Sequence, residues 1–223
     1  VKVATYNING VNARLPLLLA WLAETKPDVV CLQELKTPDL RFPAAALEKA
    51  GYGALWQCER AYNGVAILVR GGEPHLIRRG LPGDPKDTQA RYIEAAVRGI
   101  VIASLYLPNG NPRPGPAFDY KQRWFARLLK HAQSLMDAGV PVVLAGDYNV
   151  VPTDEARDIY SPASWKKDAL LQPEPRASYR LILEQGWIDA LATAGPKTPA
   201  YTFWTYWRER FERDAGLRID HLL

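Results

Sequence analysis

One apolar run that ends in polar residues restricts the fold of this chain more than any other stretch: Val142-Val143-Leu144-Ala145-Gly146-Asp147-Tyr148-Asn149. It has the length of a buried strand and stops at a glycine. A strand alternates its side chains, so Asp147 and Asn149 are expected to point the same way at the mouth of a sheet. The construction recurs in Asp28-Val29-Val30-Cys31-Leu32-Gln33-Glu34, an apolar strand tipped with a carboxylate, and at the start of the chain, where a strand ends in Asn7. Three strand ends bearing oxygen ligands or amides point to one polar site.

The remaining sequence supplies a frame for such a site. At 223 residues the chain fits one large domain with a substantial core. Residues 14–24 read as an amphipathic helix with Pro16 tolerated in its first turn, and residues 43–50 as a short helix. Residues 52–56 and 64–69 read as paired strands with turn chemistry at Asn63-Gly64, and residues 91–98 and 100–107 as a hairpin around Gly99. The Pro/Gly-rich residues 108–116 belong to a surface loop. A long helix follows, with Asp119 as a cap, an apolar face of Trp124, Phe125, Leu128, Leu129, Ala132, Leu135 and Met136, and Gly139 as its end. Residues 152–175 look irregular, and residues 179–185 helical up to Gly186. Strand and helix alternate with hairpins interspersed, which argues for mixed sheets inside and helices outside rather than a purely parallel, doubly wound sheet. No Gly-x-Gly-x-x-Gly follows the first strand and no Gly-Lys-Ser/Thr occurs, so nucleotide-cofactor folds are poor fits.

Composition narrows the partners. The net charge of +4 suits an anionic partner without requiring one. Seven tryptophans and eleven tyrosines offer surfaces on which bases stack, although most belong to the core. Cys31 and Cys58 make no disulfide framework, and Cys31 lies inside an apolar run, which suits a buried thiol in a reducing compartment. No apolar stretch approaches the ~20 residues of a membrane span and no signal peptide precedes the first strand, so a cytoplasmic, nucleoid-associated monomer away from membranes is expected.

Glu34 and Asp147 are hard oxygen donors, and magnesium is commonly held by one or two carboxylates together with substrate phosphate and water. Phosphodiester cleavage also needs a group to hold the attacking water, which suits Asp147, and neutral donors for the developing charge, which suits Asn7, Tyr106 and Asn149.

With those residues in view, the chain resembles exonuclease III and the abasic-site endonucleases of the endonuclease/exonuclease/phosphatase superfamily. The resemblance rests on Ala4-Thr5-Tyr6-Asn7-Ile8-Asn9-Gly10, Leu32-Gln33-Glu34, Asn63-Gly64-Val65-Ala66, Leu105-Tyr106-Leu107-Pro108-Asn109-Gly110, Gly146-Asp147-Tyr148-Asn149-Val150, Tyr201-Thr202-Phe203-Trp204 and Arg218-Ile219-Asp220-His221-Leu222-Leu223. It implies a DNase I-like four-layer α/β sandwich, with two mixed β-sheets packed face to face and flanked by helices. It further implies magnesium, with manganese as a substitute, at Glu34 with Asn7 beside it. Tyr106 would contact the scissile phosphate, Asp147 handle the nucleophilic water, and Asn149 hold phosphate and water. Phe203, Leu217 and Ile219 fall where the family lines a pocket for an extruded base-less sugar, and Trp207 and Arg208 stand where they could wedge or grip DNA. Arg91, the loop from Asn109 to Arg113 and Lys121 are weaker phosphate candidates, individually better read as solvated surface. The implied partner is double-stranded DNA with abasic sites or 3′ ends.

The family pattern continues with a Ser-Asp-His block whose histidine is oriented by the aspartate matching Asp220. This chain stops first, so residues 1–223 are read as one domain without that C-terminal segment. His221 is no substitute, because a strand turns it to the opposite face from Asp220. His75, in a loop-like stretch, and His131, on the polar side of a helix, read as surface residues. Two other functions stand beside the nuclease reading: a phosphodiesterase of the same fold acting on inositol phosphates or lipid head groups, and a catalytically silent DNA-binding module.

Overall fold

The computed structural model describes residues 1–195 and 200–223, which form two compact units. The first comprises residues 1–106 and 139–147, the second residues 107–138 and 148–223.

The first unit is a sandwich of two sheets. Its strands are β1 (Val3–Asn7), β2 (Val29–Gln33), β3 (Tyr52–Gln57), β4 (Val65–Arg70), β5 (His75–Arg79), β6 (Tyr92–Val97), β7 (Ile100–Tyr106) and β8 (Val142–Asp147), with helices α1 (Leu15–Thr25) and α2 (Ala44–Lys49). One sheet has the order β1-β2-β4-β3, and the other runs β5-β6-β7-β8 within this unit. Both are mixed: β1/β2 and β7/β8 are parallel, and the remaining pairs antiparallel.

The sequence of β2 explains its central place. All five of its residues are buried, as expected of a strand covered on both faces. Val30 and Leu32 face a core completed by Leu18 and Leu22 of α1, Leu47 of α2, and Ile8, Val11, Tyr52 and Leu68. Burying each of these leucines contributes about 1.5–3 kcal/mol. The alternate residues face the second sheet. Gln33 Nε2 donates to Ser104 Oγ at 3.2 Å, and Ser104 Oγ donates to Leu32 O at 3.1 Å, so the polar pair buried between the sheets is satisfied with the help of a β2 carbonyl.

The hairpin between β6 and β7 turns at Arg98 (φ 49°) and Gly99 (φ 81°), the double left-handed conformation of a two-residue turn that matches strand twist. Strand β5 was not evident in the sequence, and His75 begins it rather than lying in a loop. All five of its residues are exposed, so no hydrophobic alternation marks it.

The second unit contains α3 (Pro116–Asp137), α4 (Pro173–Glu184), α5 (Ala190–Ala194) and the short strand β9 (Asp220–Leu222). Helix α3 is capped by Gly115 with Pro116 at its first position; Asp119 makes no cap and lies in the first turn, where its charge favours the helix dipole. His131 is buried on this helix, contrary to its expected surface position. Helix α4 begins at Pro173, within the stretch expected to be irregular, because proline fits the first turn of a helix. It packs on α3, with Gln185 Nε2 donating to Leu129 O at 3.0 Å. A separate apolar cluster gathers Val151, Ile159, Leu170, Leu171, Leu217 and Ile219, with Trp165 and Phe203 packed against it. Among the described residues, no helix is long and apolar enough to cross a membrane.

Candidate active site

In the first unit, parallel pairing brings chemically active strand ends to one place. Asn7 at the end of β1 is in register with Gln33 of β2, and Tyr106 at the end of β7 with Asp147 of β8. Asn7 Nδ2 donates to Asp147 Oδ2 at 3.0 Å, which ties the two sheets together at their C-terminal edges. Asn7 Oδ1 accepts the Asn9 N–H at 3.1 Å, fixing the amide orientation. Gly146 explains the glycine of the motif: a Cβ there would lie 1.9 Å from Leu105 O on the neighbouring strand. Its absence lets β8 close on β7 directly before the carboxylate.

Glu34 follows β2 in a short segment clamped from both sides. Gly10 N–H donates to Glu34 O at 2.8 Å and Val11 N–H to Leu35 O at 3.0 Å. On the other side, Leu35 N–H donates to Gly64 O at 3.3 Å and Lys36 N–H to Asn63 O at 3.0 Å. Glu34 (φ 59°) and Lys36 (φ 49°) are both left-handed, a conformation that costs a non-glycine residue about 1–2 kcal/mol and is offset here by the clamp. Gly64 is required because a Cβ would sit 2.7 Å from Leu35 Cβ. The Asn-Gly pair read as turn chemistry thus holds the Glu34 segment. Lys36 Nζ lies 2.8 Å from Glu34 Oε1 and donates to Asn9 Oδ1 at 2.7 Å, a cation in contact with the carboxylate.

Tyr106 sits in the field of both acids. Burial, Asp147 and Glu34 all push its phenol upward, against a smaller opposing effect of Arg91, so it remains a protonated donor at every physiological pH. Arg91 is engaged with this tyrosine: its guanidinium lies 4.9 Å from the ring centroid, one nitrogen donates to Tyr106 O at 3.2 Å, and Nε donates to Gln89 Oε1 at 2.6 Å. This supporting role is not visible in the sequence, where Arg91 reads only as a phosphate candidate.

In the second unit, Asn149 lies beyond the end of β8 at φ 47°, so strand alternation does not set its direction as expected. Its orientation comes from two hydrogen bonds: Nδ2 donates to Leu107 O at 2.7 Å, and Oδ1 accepts from Asn109 Nδ2 at 3.2 Å. Lys121 is not on the surface. It is fully buried, and its ammonium donates to Asn109 O at 2.9 Å and Asn149 O at 2.5 Å, so one cation fixes the backbones of both asparagines. Gly110 leaves room for it, since a Cβ there would approach Lys121 Cδ to 2.6 Å.

The residues assigned to a sugar pocket divide. Leu217 and Ile219 are buried in the second apolar cluster, with Phe203 partly exposed against them. Backbone bonds of 3.0 Å and 2.9 Å join Phe203 to Leu217. Trp207 stands apart from that cluster; it is 79% exposed and lines a cavity of about 440 Å³ with Trp165, Arg208 and Arg210. Asp220 is half-buried, and its N–H donates to Thr202 Oγ1 at 3.1 Å. Its neighbour His221 faces the interior, as strand alternation requires. There Arg218 donates to Asp158 Oδ1 and Asp189 Oδ2, both at 2.7 Å, and contacts His221 Nδ1 at 3.0 Å. His221 Nε2 faces Val150 O at 3.0 Å, so the imidazole carries its proton on Nε2. Burial and the adjacent guanidinium hold His221 down at about 4. Burial, the largest single effect, raises the Asp189 carboxyl, but the hydrogen bond from Arg218, the adjacent positive charge and the Ala192 N–H together outweigh it and the net shift is downward.

Residues 4–223 match the profile of the endonuclease/exonuclease/phosphatase family. The chain is 32% identical to exodeoxyribonuclease III of Haemophilus influenzae, covering 100% of this chain and 87% of that protein. It is 30% identical to the DNA repair nuclease APEX1 of Danio rerio, covering 100% and 72%. Among solved structures, a 3′ phosphatase from Neisseria bound to a product DNA hairpin superposes with a TM-score of 0.93 at 37% identity, over 99% of this chain and 85% of that one. An AP endonuclease from Archaeoglobus fulgidus gives a TM-score of 0.92 at 35% identity, over 100% and 85%. These likenesses bear out the DNase I-like fold class, and the chain belongs to the endonuclease/exonuclease/phosphatase family.

Proposed function

We propose that this protein is a metal-dependent DNA repair phosphodiesterase that hydrolyses DNA 5′ to abasic sites and trims 3′ ends, acting as a monomer on nucleoid DNA in the cytoplasm. The observation that carries the reading is the hydrogen-bonded pair Asn7–Asp147 at adjoining strand ends, with Glu34 and Tyr106 in the same electrostatic neighbourhood.

The donor set suits magnesium or manganese. Glu34 offers a carboxylate that already attracts a cation, the Lys36 ammonium, and Asn7 contributes an amide oxygen with one of its two lone pairs used by Asn9. Glu34 would hold the ion with Asn7 beside it, and the ion would polarise a phosphoryl oxygen and stabilise the leaving alkoxide.

The chain's own groups supply the remaining chemistry. Asp147, oriented by the Asn7 amide, holds the attacking water and accepts its proton. The Tyr106 hydroxyl, kept protonated by its surroundings, donates to the phosphate as charge develops on it. Asn149, held by Asn109, Leu107 and Lys121, supplies a rigid amide for phosphate and water. Phe203 is the exposed side of the apolar surface offered to a base-less sugar, backed by Leu217 and Ile219, while Trp207 is free to wedge into the duplex. Asp220 is assigned the orienting role of the matching family aspartate.

The test is incision of a duplex carrying one abasic-site analogue, with magnesium and then with EDTA, alongside an inositol phosphate. Metal-dependent cleavage beside the lesion supports the reading. Turnover of the inositol phosphate alone, or salt-sensitive duplex binding without incision, overturns it.

A further inference from the structure

A cleft of about 490 Å³ opens in the first unit next to the Glu34 segment, lined by Asn12, Lys36, Thr37, Pro38, Arg41 and Arg60. Its walls carry three cations and no carboxylate. The cleft is braced. Asn12 Nδ2 donates to Thr37 Oγ1 at 2.9 Å and to Arg41 O at 3.1 Å, and Cys58 N–H donates to Asp39 Oδ1 at 3.0 Å. The last bond ties the loop bearing Arg41 to the loop bearing Arg60. Phe42 stacked on Trp56, with ring centroids 4.5 Å apart, anchors the same loop to β3.

The acids nearest these arginines in sequence are committed elsewhere. Asp39 accepts from Cys58, and Glu59 Oε2 accepts from Asn63 Nδ2 at 2.8 Å and Ala90 N–H at 3.2 Å. Glu34 is in contact with Lys36. Among the described residues, the guanidinium groups of Arg41 and Arg60 have no hydrogen-bond or ion-pair partner. Two other arginines of this unit differ: Arg70 pairs with Asp28 at 2.7 Å, and Arg91 is fastened to Tyr106 and Gln89. Two uncommitted planar forks on braced loops, facing a cleft without acids, form a receptor for a tetrahedral oxyanion.

We infer that this cleft binds a backbone phosphate of the substrate strand, close to the phosphodiester that the Glu34 site hydrolyses. The inference rests on the nuclease reading for the identity of the anion. Its position follows from Lys36, which lines the cleft and also touches Glu34, so the two sites share a residue. The cleft therefore fixes the register of the strand while the strand ends perform the reaction. Phosphate contacts of this kind position a nucleic acid without reading its bases.

Arg41→Ala/Arg60→Ala and Arg41→Lys/Arg60→Lys test it, through equilibrium binding of an abasic duplex in EDTA across a salt series. Both arginines are exposed, and the melting temperature checks that the fold is retained. The alanine pair is expected to weaken binding at least about tenfold at moderate salt, and to flatten the slope of log K against log salt by about 1, the counterion step of the one phosphate no longer neutralised. The lysine pair keeps the slope and loses part of the affinity, because the charge remains and the fork does not. Unchanged affinity and slope in the alanine pair overturn the inference, as does a lysine pair indistinguishable from the parent protein, which leaves only a diffuse positive field. Incision by the parent protein is scored separately: an inactive parent defeats the nuclease reading, whereas an active parent with insensitive variants defeats the cleft alone.

Discussion

Asn7 and Asp147 lie 140 residues apart in sequence, yet the amide of one donates to the carboxylate of the other at 3.0 Å. Each terminates a strand in a different sheet, so the bond acts both as a fastening between sheets and as the orienting contact for the proposed base.

Asp147→Asn removes the proton acceptor while keeping the shape of the side chain. Steady-state incision is expected to fall by about 10²–10⁴-fold, with little change in melting temperature. Asn7→Ala leaves the carboxylate in place without the Asn7 amide, and a smaller loss, on the order of 10²-fold, is expected. Equal losses in the two variants would argue that Asn7 acts on the metal rather than on Asp147.

Gly146→Ala addresses the approach of β8 to β7. The added Cβ meets a backbone carbonyl that cannot rotate away, so the strands must separate, at about 3 kcal/mol. Gly99→Ala provides the contrast. At Gly99 a Cβ meets nothing within 4 Å and only the left-handed φ of 81° is penalised, by about 1 kcal/mol. Urea unfolding midpoints of the two variants are expected to separate in that order.

Lys121→Met keeps an unbranched apolar stem and removes the ammonium shared by the carbonyls of Asn109 and Asn149. Loss of those charge-assisted bonds from a buried site is expected to cost about 2–3 kcal/mol in urea unfolding. If the lysine holds the asparagine pair for the reaction, kcat falls by about tenfold more than KM rises. A purely structural lysine lowers stability and leaves the kcat of the folded fraction intact.

His221 makes stability depend on pH. Its folded-state value of about 4 lies below the ordinary 6.5, so between those limits the unfolded chain takes up a proton that the native state refuses. The contribution is fully present above pH 6.5 and is lost as pH falls toward 4, with a slope approaching about 1.4 kcal/mol per pH unit. Unfolding free energies between pH 7.5 and 5 are expected to fall less steeply in His221→Gln.

The parts of this protein legible in its sequence are those with local causes. The strands ending at Asn7, Gln33 and Asp147 show as apolar runs, and the Arg98-Gly99 turn shows as a glycine between two strand patterns. What escaped notice depends on distant partners. Lys121 looks like a surface lysine until the carbonyls of residues 109 and 149 surround it, and Arg91 like a phosphate contact until Tyr106 lies beneath it. Asn149 leaves the strand before its alternation can be applied. Strand β5 carries no pattern because neither of its faces is buried, and only pairing with β6 makes it a strand.

The order of elements along the chain bears on how the protein is made. Strand β8 is the parallel neighbour of β7, but residues 107–138, including the whole of α3, are synthesised between them. A ribosome moving at about 5–20 residues per second therefore presents β7 with an open edge for several seconds before its partner emerges. Asn7, Glu34 and Tyr106 have left the ribosome by then, and Asp147 has not. A nascent chain stalled with α3 just outside the ribosome would hold three corners of the site around a vacant fourth, with an unsealed sheet edge exposed to strand exchange with another copy.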